Sequence, residues 1–324
     1  MIFEVIIKPL YAIGVDLGGT NLRVGVVRND GNVEARIAMP VGRDKSAPRI
    51  AELISEQVMV IQQQISVDII GCGCGIPGIV NGNTGMVFSS PHFPEWQDVE
   101  ILKLLEKRIS LPLVIDNDAN MFAVGELLYG AGKGHKNFIM LTLGSGIGGG
   151  IIINEKIFRG DRGFAGEVGH IIVEPDGVAC GCGSHGCLEQ YAASHAFTHL
   201  VHRLSKHERD SILTATQGDA SLLTPEMVAR FASEENKIAK ELWRTFGRYL
   251  GIGIASLINV LGITTIVIGG GITKSWELFI DATRAEIESR SFRKNAEQLR
   301  LLQASLGEST GIVGAASAAF QKIT

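Results

Sequence analysis

"YAIGV" runs apolar, polar and apolar positions alternate through "NLRVGVV", and Gly18-Gly19 stands between the two stretches. Alternation at period two puts one face of a strand on a core, so residues 11–27 predict strand, tight turn, strand. "NFIMLTLGSGIGGGIIIN" (137–154) repeats the plan, and 15–21 resembles 141–147 at a spacing of about 126 residues, as a duplicated fold would. "DIIGCGCGIPGIV" (68–80) and "ITTIVIGGGIT" (263–273) read as strands running into glycine loops. Apolar positions at helical spacing mark 45–65, 97–109, 118–130 and 188–205. Thr224-Pro225-Glu226 offers a cap residue followed by proline in the first turn. The helix it opens is expected to break near Gly247 and to end about Leu261. "ESTGIVGAASAAFQKI" reads as a final helix of small residues. There is no short-period repeat and no low-complexity linker. Two fused α/β halves, with the site in a cleft between them, fit this pattern.

A chain of 324 residues suits two domains at ~150 residues each. At 45% apolar and 20% charged residues it has material for real cores. A net charge of −4 without a long basic run points away from a nucleic-acid surface. The N-terminal stretch is apolar but carries Glu4 and Lys8. It lacks a basic leader region and a small-residue cleavage site, so it does not read as a signal peptide. The longest uncharged run, Leu250 to Thr273, is interrupted by glycines, Ser256, Asn259 and threonines. It reads as a helix end feeding a buried strand rather than a membrane span. A cytoplasmic, reducing location is expected, where clustered cysteines read as metal ligands before disulfides.

The motif G-x-G-x-x-G occurs at 73–78, 144–149 and 181–186. A dinucleotide fingerprint follows a strand and opens a helix. Here Gly149 runs into "GIIINEKIF", Gly78 into "IVNGNTG", and the third copy lies among cysteines, so a nicotinamide fold does not fit. The P-loop pattern is absent. What remains is "DLGGTN" and "TLGSGIG", each in a hairpin. Glycine turns expose backbone N–H groups and admit an anion closely. Thr20, Asn21, Thr142 and Ser145 add side-chain donors, and Asp16 is placed to hold a metal ion or its waters.

"LPLVIDNDANMFAVGE" (111–126) is a strand that ends in carboxylates and opens a helix. Phosphoryl transfer to an alcohol needs positioning, charge neutralisation and a group that accepts the hydroxyl proton. Asp116 and Asp118 are both candidates for that last role. Asp118 is equally suited to cap the helix, and the residues alone do not separate cap from base. The spacing His170-x9-Cys180-x-Cys182-x4-Cys187 suits a closed tetrahedral zinc site. With no open position such a site is structural, and Gly181, Gly183 and Gly186 let the backbone wrap the ion. Cys72 and Cys74, on an apolar strand without a nearby histidine, read as small core residues.

"VDLGGTN", "DNDAN", "LTLGSGIGGG", "GEVGH", "CGCGSHGCLE" and "IVIGGG" stand in the order and spacing of the ROK family, so nearly the whole chain resembles that family of sugar kinases and sugar-responsive repressors. The resemblance implies two RNase H-like (actin-like ATPase) α/β domains with an interdomain active-site cleft. The first would be 1–118 plus 309–324, and the second, carrying the zinc, 119–308. It implies an ATP- and Mg²⁺-dependent hexose kinase acting on the 6-hydroxyl of glucose, with N-acetylmannosamine, N-acetylglucosamine, mannose, allose and fructose left open. Asp118 would be the general base, near the Mg²⁺. Gly78, Asn117, Glu167, His170 and Glu189 would contact the sugar, with His170 also on the structural Zn²⁺. Gly18, Gly19, Thr20 and Asn21 of the first hairpin would bind ATP, with Thr142, Gly144, Ser145 and Gly146 of the second and, more loosely, Gly270. Ser309-Thr310 departs from the small or acidic residues that often precede Gly311. A homodimer follows from family habit. A sugar-responsive regulator is the alternative from another class. It is disfavoured because the first hairpin begins by Tyr11 and leaves no room for a helix-turn-helix. A binding-only scaffold is disfavoured by the intact Asp118.

Overall fold

The computed structural model describes residues 9–323. The start of the chain, read above for a leader, lies mostly outside them. The chain divides into two compact units, residues 1–134 with 155–165 and 305–324, and residues 135–154 with 166–304.

The first unit opens with strands β1 (Tyr11–Leu17), β2 (Asn21–Arg28) and β3 (Val33–Pro40), then helix α1 (Ala47–Gln63) and β4 (Ile69–Ile76). β5 (Ile79–Asn81), β6 (Met86–Ser89) and β7 (Gln97–Glu100) form a small separate sheet. Helix α2 (Ile101–Glu106), β8 (Leu113–Asn117) and α3 (Asp118–Tyr129) follow. The main sheet has the order β3-β2-β1-β4-β8. Its first three strands are antiparallel hairpins, and β1, β4 and β8 run parallel.

The second unit starts with β9 (Phe138–Leu143) and β10 (Ile147–Ile153), and the two-residue β11 (Lys156–Ile157) follows in the chain. Next come α4 (Glu189–Ala192), α5 (Ala196–His202), α6 (Lys206–Ile212), α7 (Pro225–Ser233) and α8 (Lys237–Leu261). β12 (Thr265–Gly269), α9 (Trp276–Arg290), α10 (Arg293–Ala296) and β13 (Arg300–Gln303) complete it. The second sheet has the order β11-β10-β9-β12-β13, with β9 and β10 antiparallel and β9, β12 and β13 parallel. This is the order of the first sheet, so the duplication suggested by the two hairpins extends through five strands each.

The last helix, α11 (Thr310–Ile323), covers one face of the first sheet. Strand alternation sorts the two faces. Ile13, Val15, Cys72, Cys74 and Ile76 enter the core shared with α1, while Ala12 and Val27 join Ile312, Val313 and Ala316. Gly14 and Gly73 lie under α11, where a Cβ would run into the carbonyls of Ile312 and Ala315. Cys72 and Cys74 are fully buried free thiols, the core residues expected.

Several expectations need correction. The first unit does not end at residue 118 but includes all of α3, because α3 packs along α11: a Cβ on Gly125 would meet the Thr310 carbonyl and one on Gly314 the Met121 carbonyl. The C-terminal boundary falls at 304/305 rather than 308/309, and 155–165 belongs to the first unit. The expected helix 97–109 begins only at Ile101, since 97–100 pairs with β6. The segment 188–205 is broken after Ala192 for a reason that lies at the second hairpin, described below. Helix α8 runs straight through Gly247, and the break falls earlier, at Glu234–Asn236. Asn236 starts α8 by accepting the N–H groups of Ile238 and Ala239 at 2.9 and 3.0 Å. Gly247 instead lets α8 and α9 cross closely, against the Phe279 carbonyl, with Thr283 donating to the Gly247 carbonyl at 3.0 Å. No helix among the described residues is long and apolar enough to cross a membrane.

Candidate functional site

In the first unit the β1–β2 turn is closed by Gly18 N–H donating to the Asn21 carbonyl at 2.8 Å. Gly18 and Gly19 are half-buried, and Thr20 and Asn21 are exposed at the tip. The ring of His92 rests on Gly19, where a Cβ would lie 2.6 Å from its Nδ1. Asp16 is 4% exposed and receives Arg23 Nη1 at 3.2 Å. Burial raises its pKa above the ordinary carboxylate value, and Arg23 opposes the rise. Its carboxylate fills the space beside Gly311, where a Cβ would lie 2.6 Å from Asp16 Cγ. Thr310, part of the departure noted above, is buried and donates to the Gly307 carbonyl at 2.7 Å, so it secures the start of α11.

The end of β8 separates the two aspartates. Asp116 is 2% exposed and saturated. Its Oδ1 accepts Asn117 N–H at 2.8 Å and Asn120 Nδ2 at 2.9 Å, and its Oδ2 accepts Arg159 Nε at 2.7 Å and Nη2 at 2.6 Å. The helix cap is Asn117, whose Oδ1 accepts Asn120 N–H at 3.1 Å. Asp118 is therefore the first residue of α3 and not its cap. Its carboxylate is half-buried and accepts Ala119 N–H at 3.0 Å. Asn117 also donates from Nδ2 to the Gly78 carbonyl at 2.9 Å, which leaves it one further N–H. Gly78 has φ +120°, and a side chain there would strike the Ser89 carbonyl. Beside it, the hydroxyl of Ser90 is buried without a partner among the described residues.

In the second unit the β9–β10 turn is tied from behind. Ser194 donates both its N–H and its hydroxyl to the Gly144 carbonyl at 2.8 Å, and His195 Nδ1 lies 3.0 Å from the Ser145 carbonyl, where it must carry the hydrogen. These bonds explain the break after α4. Gly270, at φ +93°, seats its backbone against the Leu143 carbonyl just before the turn, where no side chain fits. Thr142 is half-buried at the end of β9.

His170, Cys180, Cys182 and Cys187 each offer a ligand atom, and these atoms lie within 4.8 Å of one another. Tetrahedral zinc with bonds of ~2.3 Å to sulfur and ~2.0 Å to nitrogen sets S···S edges of about 3.8 Å and S···N edges of about 3.6 Å. The Cys182–Cys187 edge is 3.6 Å and the Cys180 Sγ–His170 Nδ1 edge 3.6 Å. The donor set thus fits zinc through Nδ1 and leaves His170 Nε2 facing Glu167 at 3.8 Å. Burial, then hydrogen bonds among the thiols, pushes Cys187 up to about 12. Burial also raises Glu167, with His170 opposing. Glu189 links this cluster to the hairpin: its Oε1 accepts Cys180 Sγ at 3.3 Å, and its Oε2 lies 2.9 Å from where a Cβ on Gly146 would stand.

Each expected residue thus falls in one of two groups, one in each unit. Arg159, Ser90, His92, Ser194 and His195 were not expected. Only the buried, unpartnered state of Ser90 marks it, and no sequence pattern shows that.

The sequence profile of the ROK family matches residues 12–322. A glucokinase of Streptomyces coelicolor is 35% identical over 311 residues, 95% of this chain and 96% of that protein. A xylose repressor of Caldicellulosiruptor bescii is 31% identical over 93% of this chain and 76% of the repressor. Among solved structures, a ROK family glucokinase from Streptomyces griseus, in complex with glucose and AMPPNP, superposes with a TM-score of 0.81 at 33% identity, covering 96% of this chain and 99% of that one. With the six motifs in register and the five-strand order repeated in both sheets, these matches identify the fold as that of the two-domain actin-like ATPases, and the chain belongs to the ROK family.

Proposed function

We propose that this protein is an ATP-dependent hexose kinase that phosphorylates the 6-hydroxyl of glucose. The observation that carries the reading is the contrast at the end of β8. Asp116 has its acceptor positions filled by Arg159, Asn117 and Asn120, whereas Asp118 begins a helix with its carboxylate half-buried. Asp118 accepts the proton of the sugar hydroxyl as its oxygen bonds to the γ-phosphorus. The bond from that phosphorus to the β,γ-bridging oxygen breaks, and ADP leaves with the electron pair. Asn117, the Gly78 backbone, Glu167, His170 and Glu189 hold the sugar. The buried Ser90 hydroxyl joins this set, since an unpaired hydroxyl beside Gly78 is satisfied by a polar ligand.

The two glycine hairpins hold the phosphates through backbone N–H groups, with Thr20, Asn21, Thr142 and Ser145 adding donors and Gly270 flanking the second hairpin. Asp16, cradled by Gly311, would hold Mg²⁺ or its waters, and that ion neutralises charge on the phosphates when bound. His170, Cys180, Cys182 and Cys187 would hold structural zinc, which fixes the loops bearing Glu167 and Glu189. A cytoplasmic homodimer completes the proposal; light scattering of the purified protein checks its mass.

The test is coupled ADP release with ATP, Mg²⁺ and a panel of hexoses. Turnover on glucose supports the reading. Turnover confined to N-acetylmannosamine or another hexose keeps the mechanism and changes the substrate. Sugar binding without turnover on any of them overturns it and favours a sensor, the role that similarity to a repressor would suggest.

A further inference from the structure

We propose that Arg159 is a positioning residue for phosphoryl transfer, an inference that rests on the kinase reading of Asp118. It acts through Asp116. One carboxylate oxygen of Asp116 takes both Arg159 contacts, at 2.6 and 2.7 Å, and the other takes Asn117 N–H and Asn120 Nδ2. Asn117 and Asn120 bracket Asp118. Fixing Asp116 therefore fixes the Asn117 backbone before the proton acceptor and the Asn120 side chain after it.

The guanidinium is itself held in place. Its segment, 155–165, belongs to the first unit, and Phe164 packs edge-on against Phe88 with ring centroids 5.1 Å apart. The Ala165 N–H closes back on the Arg159 carbonyl at 3.1 Å. Arg159 is 42% exposed, whereas Asp116 is 3% exposed at its side chain. A half-exposed cation contributes little to stability through its own pairing. Its removal leaves a buried carboxylate with neutral donors only, and a buried charge without its partner is unfavourable. The carboxylate then turns or draws in water, and its other oxygen loses its grip on Asn117 and Asn120. The effect falls on the geometry of the proton acceptor rather than on the nucleotide contacts.

The test compares Arg159→Met, Arg159→Lys and the double variant Arg159→Met/Asp116→Asn on the best hexose found for the parent. Arg159→Met is expected to lower kcat on the order of 10- to 100-fold with the KM for ATP little changed. Arg159→Lys recovers part of this, because one ammonium cannot reproduce the two-pronged contact. The double variant is faster than Arg159→Met, because an amide at 116 still accepts from Asn117 and leaves no unpaired charge. Loss of an ordinary packing contact would give no such rescue. Arg159→Met or Arg159→Lys with the parental kcat, or a double variant no faster than the single one, overturns the assignment. A parent chain that turns over no sugar overturns the kinase reading and this role with it, so the two failures are distinguishable.

Discussion

The side-chain amide of Asn117 donates to the Gly78 carbonyl at 2.9 Å while its oxygen caps α3, so one residue joins the Gly78 loop to a helix start. The two tasks separate by substitution. Asn117→Ser retains a cap but cannot reach Gly78, so its thermal midpoint should stay near the parent's while the KM for sugar rises. Asn117→Ala loses the cap as well and should cost a further ~1 kcal/mol in denaturant unfolding.

Asp118 lies at the first turn of α3 and is not its cap. Asp118→Asn is therefore expected to lower kcat by about 10²- to 10⁴-fold, with the thermal midpoint within about 2 °C of the parent. A fall in stability that parallels the fall in rate would return Asp118 to a structural role.

The Cys₃His cluster should hold one zinc per chain, measurable by elemental analysis. Cys182→Ser and Cys187→Ser should lose the metal and sugar binding yet retain nucleotide binding by calorimetry. A zinc-free variant with full activity would separate the knuckle from sugar recognition.

Burial raises the pKa of Asp16 in the folded chain. A raised carboxyl favours the fold below the ordinary carboxylate pKa, and that contribution is lost as pH rises through the folded value. At neutral pH the burial of Asp16 therefore opposes folding. Asp16→Asn should be more stable than the parent at pH 7, should match it in acid, and should be inactive. Urea unfolding at both pH values checks the sign.

Gly14→Ala and Gly73→Ala place a methyl against the backbone of α11, and each should destabilise by about 1–3 kcal/mol or more. Gly271→Ala, with nothing within 4 Å, is the control and should be near neutral in the same unfolding assay.

The hairpins and the Cys₃His cluster are legible in the sequence because each is local: a glycine turn between strands, and four candidate ligands within eighteen residues. The surroundings of the two aspartates are not, because they depend on partners distant in the chain. Asp116 meets Arg159 across 43 positions and Asn117 meets Gly78 across 39. The break after Ala192 is caused by bonds to Gly144 and Ser145, 50 residues away. Gly247 reads as a helix breaker until Phe279 is seen packed on it. Periodicity reports which face is buried and is silent about what buries it.

The helix that roofs the first sheet is the last element of the chain, behind the whole second unit. During synthesis, β1 and β4 emerge with Ala12, Gly14 and Gly73 facing nothing. At ribosomal speeds of ~5–20 residues per second, roughly 10–40 s pass between the end of α3 and the arrival of α11. The first unit to be made is thus the last to close, because its sheet face waits for α11.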